Sequence, residues 1–97
     1  MVEIKNIITD EKLAKYFKVT SKALEIAKQS DNRTKLVKER EDIVDMIERY
    51  LKDAFYFKDK GDYVNAFAAL NYAHGWLDEG ARLGIFDVHD SKLFTAD

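Results

Sequence analysis

The chain has 97 residues, with 16 Lys+Arg against 18 Asp+Glu, two His, no cysteine and no proline. That length suits one small domain with a radius of gyration of about 13 Å. The net charge of −2 lacks the basic excess of a domain that docks on phosphate backbones, so nucleic acid is not the expected partner. The missing cysteines exclude disulfides, thiolate metal sites and thiol nucleophiles and fit a reducing cytoplasm. An apolar share of 46% against 35% charge supplies both a core and a solvated surface, which argues against disorder.

The opening Met1-Val2-Glu3-Ile4-Lys5-Asn6-Ile7-Ile8 is too short and too charged for a signal peptide or a membrane span. Without proline, and with few glycines, the chain reads as helix interrupted at a small number of points. The first helix is expected over residues 9–29, opened by Thr9 or Asp10 as a cap. Leu13, Phe17, Thr20, Leu24 and Ala27 share one face, with Tyr16 beside them. A second apolar line of Val19, Ala23 and Ile26 widens that face and calls for cover by the N-terminal isoleucines or by another chain.

Ser30-Asp31-Asn32 favours a turn, and a second helix is expected over residues 33–60. Its stripe is Leu36, Ile43, Val44, Ile47, Tyr50, Leu51, Ala54 and Phe57. Arg40 falls inside the stripe, where its stem covers core and its head reaches solvent or a carboxylate. Gly61-Asp62 ends this helix and caps the next, expected over residues 63–83 with Gly84 as terminator. Its central line is Ala66, Leu70, Ala73, Leu77 and Gly80, flanked by Ala69, Trp76, Tyr72, Leu83 and Ala81, wide enough to touch two neighbours. Asn65 falls beside this apolar half, where an amide must be hydrogen-bonded or tie the Gly61-Asp62 turn. The tail over residues 85–97 carries Phe86 and Phe94, and Ile85 and Phe86 are expected to fold back on the bundle.

Chemistry is sparse. Asn71, His74, Asp78 and Arg82 recur at three- and four-residue spacing on one side of the third helix, so a histidine oriented by an aspartate is conceivable there. The plainer reading is a solvated face with an Asp78–Arg82 pair, because neither a nucleophile nor a pocket is evident. His74 and Asp78 with His89, Asp87 or Asp90 include metal-compatible donors, but no second His-x-x-x-His or Glu-x-x-His pair completes a shell, so no metal and no cofactor are expected. The basic cluster Lys28, Arg33, Lys35, Lys38 and Arg40 is interleaved with acids and lacks stacking aromatics.

Three resemblances bear on this. The spacing of Arg82 and His89 is similar to that of the HEPN ribonuclease helical domains, although Gly84 intervenes and Leu83 replaces the polar residue usual after that arginine. Gly61 to Ala66, leading to Ala69 and Tyr72, resembles one tetratricopeptide unit, whereas a solenoid needs about three. The stretch from Gly61-Asp62-Tyr63-Val64-Asn65-Ala66 through Trp76-Leu77-Asp78-Glu79-Gly80-Ala81-Arg82-Leu83-Gly84-Ile85-Phe86-Asp87-Val88 resembles the archaeal family called domain of unknown function 357. Tyr50-Leu51-Lys52-Asp53-Ala54 and Leu93-Phe94-Thr95 are also similar to it. That resemblance implies an archaeal cytoplasmic protein with a spectrin-repeat-like helical bundle, and it brings no catalytic residues.

Together these readings predict an all-α, three-helix antiparallel bundle with short N-terminal and C-terminal tails, one domain over residues 1–97. The expected function is a non-enzymatic interaction module, with surplus apolar Val19, Ile26, Phe67, Phe86 and Phe94 facing a protein partner or a second copy, and no membrane. The alternative is a small hydrolase or ribonuclease using His74, Asp78 and Arg82.

Overall fold

Thr9 opens the first helix, its hydroxyl accepting from the backbone N–H of Lys12 at 3.1 Å, while Asp10 and Glu11 occupy the positive end of the helix dipole. In the computed structural model, which describes residues 1–95, this helix is α1, Asp10–Gln29. Ala96 and Asp97, the end of the expected tail, lie outside the described residues.

The second helix, α2, is Val37–Asp59 and starts four positions later than the sequence pattern suggests. Asn32 is the reason. Its Oδ1 accepts from both the backbone N–H and the hydroxyl of Thr34, at 2.9 and 2.7 Å, and Thr34 Oγ1 then accepts from Leu36 N at 3.1 Å. These local bonds compete with the helix ladder and hold residues 33–36 in a turn. Leu36, expected in the apolar stripe, is therefore outside the helix and 40% exposed. The third helix, α3, is Tyr63–Leu83, entered through Gly61 at φ 78° and left through Gly84 at φ 81°, both in the left-handed region. Asp62 caps it by accepting from Asn65 N at 3.2 Å, and Asn65 Nδ2 donates to the other carboxylate oxygen at 2.6 Å. Asn65 is exposed and ties the turn.

Short connections make successive helices antiparallel, so α1 and α3 run the same way: Tyr63 at the start of α3 donates to Asp10 at the start of α1. Both α1 and α2 pack chiefly on α3 and scarcely touch each other. One part of the core joins Leu13 and Phe17 of α1, Ala54 of α2, and Ala66 and Leu70 of α3. The other joins Ala23, Leu24, Ile47, Ala73 and Leu77 to the tail residues Ile85, Phe86, Val88, Leu93 and Phe94.

The tail thus fills the end of the bundle that α1 and α2 leave open. Phe86 is wholly buried and Phe94 is 4% exposed, so neither belongs to an exposed apolar surface, and the expectation that Ile85 and Phe86 fold back is met. Close approach requires Gly80, since a Cβ there would lie 2.5 Å from the Phe86 ring. Across the ring stands Arg40, its Cζ 5.2 Å from the centroid. Its guanidinium reaches neither a carboxylate nor open solvent as its main partner. It donates to the carbonyls of Ala27, Lys28 and Ser30 at the end of α1, at 3.2, 3.2 and 2.7 Å, and to Ile85 O at 2.8 Å. Carbonyls at a helix C-terminus lack intrahelical donors and carry the negative end of the dipole, which is why a cation goes there.

Two measurements check this account. Arg40→Lys keeps the charge but loses the planar fork that spans separate carbonyls, and it is expected to lower unfolding stability by about 1.5–3 kcal/mol in denaturant titrations. The bond from Tyr63 to Asp10, at 2.5 Å, and then the carboxylate's charge, raise the Tyr63 pKa above its ordinary 10.0. The protonated phenol is therefore favoured by folding, and its contribution to stability is present below pH 10.0 and lost as pH rises through the folded value. The ultraviolet difference titration of wild type against Tyr63→Phe is expected to place this phenol above 10.0, and Asp10→Asn to return it.

Candidate functional site

One helical face of α3 carries the polar set His74, Asp78 and Arg82, spaced so that each turn presents one member. All three face the last described segment of the tail. His74 Nε2–H donates to Leu93 O at 2.7 Å. Because a carbonyl only accepts, the proton sits on Nε2, and Nδ1 is left to meet the hydroxyl of Thr20 on α1 at 3.1 Å. In the neutral ring that hydroxyl donates to Nδ1. Asp78 Oδ1 accepts from Thr95 N at 2.9 Å, and Arg82 Nη1 donates to Thr95 O at 3.2 Å. The three side chains form a ladder along the tail backbone.

This geometry answers the question of a histidine oriented by an aspartate. His74 Nε2 and Asp78 Oδ1 are 3.7 Å apart, beyond hydrogen-bond length, because each has turned to a backbone group of the tail. Both ring nitrogens of His74 are engaged, so neither offers a free lone pair to a substrate. His74 and Asp78, half-buried, line a hollow of about 220 Å³ between α1 and α3, together with Tyr16, Thr20 and Asn71. Arg82 does not line it.

The second histidine is elsewhere. His89 Nε2 lies 2.9 Å from Asp87 Oδ1, which also receives Arg33 Nε at 3.2 Å. Arg82 and His89, paired by spacing in the sequence, thus engage different groups. Among the described residues no cluster of three or more His, Asp and Glu is placed to hold a metal ion. No described helix is long and apolar enough to cross a membrane.

The remaining expected surface residues divide. Val19 and Ile26 are half-buried against the core, and Phe67 is half-buried edge-on to Tyr16 at 4.7 Å under the Lys12 ammonium. The exposed apolar side chains on α3 are instead Val64, Tyr72 and Leu83, at 66, 49 and 56%. Tyr72 and Leu83 were expected to flank the core. Leu83 is left uncovered, whereas the Tyr72 ring does flank the bundle, lying against Tyr50 of α2 with centroids 4.6 Å apart and exposing its other side. A legible signal marks this face: from Tyr63 to Leu77 the sequence contains no Asp, Glu, Lys or Arg.

Residues 15–86 match the family described as Protein of unknown function (DUF357). The chain belongs to this family. The DUF357 match reaches back into α1 and takes in Arg40, Phe86 and the whole polar ladder of α3, and it ends before Leu93 and Thr95. Comparison with curated proteins and with solved structures gives no match.

The ladder is expected to hold the tail in solution. In hydrogen exchange, the Thr95 amide should be protected in the wild type and exchange faster in Asp78→Ala, with the amides of α2 unchanged. Equal Thr95 exchange in both proteins would show that the ladder does not hold the tail.

Proposed function

We propose that this DUF357 protein is a non-enzymatic protein-interaction module of the archaeal cytoplasm, working through the outward face of α3. One observation carries the reading: α3 exposes Val64 and Tyr72 within its charge-free stretch, beside exposed Ala68, Asn71 and Gly75. A solvated helix face is ordinarily charged, as those of α1 and α2 are, and an uncharged exposed face with an aromatic residue has the composition of an interface core. The polar face of the same helix is spent on the protein's own tail, which accounts for His74, Asp78 and Arg82 without a reaction. The cysteine-free composition suits a reducing compartment.

A hydrolytic reading has one observation in its favour, the hollow beside His74 and Asp78. It requires the tail to release both groups before either could transfer a proton.

A photo-crosslinking residue at Asn71, installed in the native cell, is expected to give discrete adducts with a protein identified by mass spectrometry, the chain itself included. The same residue at the exposed Lys52 of α2 is the control. No adduct at Asn71, or the same products from both positions, would overturn the interaction reading. Under it, purified protein hydrolyses neither RNA nor simple esters, and His74→Gln changes nothing in that assay.

A further inference from the structure

We infer that the hollow between α1 and α3 beside Asp78 binds the ammonium group of a small primary alkylamine. This goes beyond the interaction reading and stands or falls without it.

Two ridges make the hollow. Tyr16, Val19 and Thr20 on α1 face Asn71, Gly75 and Asp78 on α3, each set recurring at three- and four-residue spacing, and about 220 Å³ lies between them. Gly75 places no side chain there. His74 completes the wall with its donors already used, since its ring N–H goes to Leu93 O and its Nδ1 takes the proton of the Thr20 hydroxyl.

Charge selects the ligand. Among the described residues no Lys or Arg lines the hollow, and none comes within 4 Å of the Asp78 carboxylate, because Arg82 goes to Thr95 O instead. The Asp78 side chain is only 26% exposed, and its nearest charged neighbour is His74 Nε2 at 3.7 Å. A carboxylate so shielded from water attracts a cation more strongly than one on an open surface. Asp78 Oδ1 is occupied by Thr95 N at 2.9 Å, whereas Oδ2 and the Asn71 amide make no hydrogen bond among the described residues. The free polar atoms are thus one carboxylate oxygen and one amide.

That donor set separates three kinds of cation. A guanidinium presents a fork that matches both oxygens of a carboxylate, and here one oxygen is taken. An ammonium is a point charge with three donors and is satisfied by Oδ2, the Asn71 carbonyl and water. A metal ion needs more ligands than these, and among the described residues no group of three His, Asp or Glu is placed to supply them. Val19 and the Tyr16 ring give the alkyl chain an apolar wall. At about 30 Å³ per water, the space holds an amine of about five to eight non-hydrogen atoms.

The test follows the backbone amide shifts of the whole chain while n-butylammonium chloride is added to about 100 mM at fixed ionic strength. Saturable shifts at Thr20, Asn71, Gly75 and Asp78 are expected, with a dissociation constant in the millimolar range. n-Butanol, with the same chain and no charge, and guanidinium should each bind at least about tenfold more weakly. Asp78→Asn keeps the Oδ1 acceptor for Thr95 N and removes the charge, so it should weaken butylammonium at least about tenfold while the Thr95 amide stays protected from exchange. Asn71→Ala changes an exposed side chain and should weaken it about fivefold. Capped lysine, as Nα-acetyl-lysine amide, distinguishes the source: tighter binding than butylammonium assigns the ammonium to a lysine side chain of a protein, weaker binding to a free amine.

No saturable shift in the wild type, or equal binding of n-butanol or guanidinium, overturns the inference. Unchanged affinity in Asp78→Asn with Thr95 still protected does so too, and if that protection is lost, unchanged affinity in Asn71→Ala does so. A failed titration beside a protein photoadduct at Asn71 leaves the interaction reading standing.

Discussion

The guanidinium of Arg40 is the contact on which the rest of the bundle depends. From the first turns of α2 it reaches the last carbonyls of α1 and the carbonyl of Ile85 just beyond α3, while its plane lies near the buried ring of Phe86. Helices that meet at their ends leave backbone acceptors pointing at one another, and a buried acceptor without a donor is costly. A forked donor with several N–H groups satisfies acceptors from different segments at once, which fixes their relative positions as well as their hydrogen bonding. Among the described residues no buried side-chain nitrogen or oxygen lacks a partner.

The other features of that end follow from this clamp. Once Ile85 is held, Phe86 enters the slot that Gly80 leaves open, and the chain turns through Val88 toward Leu93. Two backbone bonds join the α1–α2 connection to the same region, Arg33 N to Gly84 O at 2.8 Å and Asp87 N to Asp31 O at 2.9 Å. The tail therefore returns along α3, and the polar ladder has a backbone to grip. A row of side chains that resembles an acid–base array in the sequence is, in the fold, a clasp on the protein's own chain.

This arrangement divides α3 into three sectors. One is buried between α1 and α2, one is closed by the tail, and one is open to solvent and carries no charge from Val64 to Gly75. The open sector carries the functional proposal because the other two are already satisfied inside the molecule. Between Val64 and Gly75 it exposes one aliphatic and one aromatic side chain, Val64 and Tyr72, among small and uncharged residues, and apolar area of this kind gains from being removed from water.

Much of this protein was legible before its fold. Caps and breakers are local chemistry, so Thr9, Gly61-Asp62 and Gly84 marked helix boundaries correctly, and helical periodicity found Leu13, Phe17, Ile47, Ala73 and Leu77 in the core. The late start of α2 was missed because Asn32 and Thr34 make a small network of their own, which a hydrophobic pattern does not register. Which flank of α3 is covered, what Arg40 binds and what His74 and Asp78 hold were settled only by tertiary structure. A sequence states which side chains share a helix face; the partner opposite that face comes from distant segments, here Ala27 and Ile85 for Arg40 and Leu93 for His74, which only folding brings within hydrogen-bond reach.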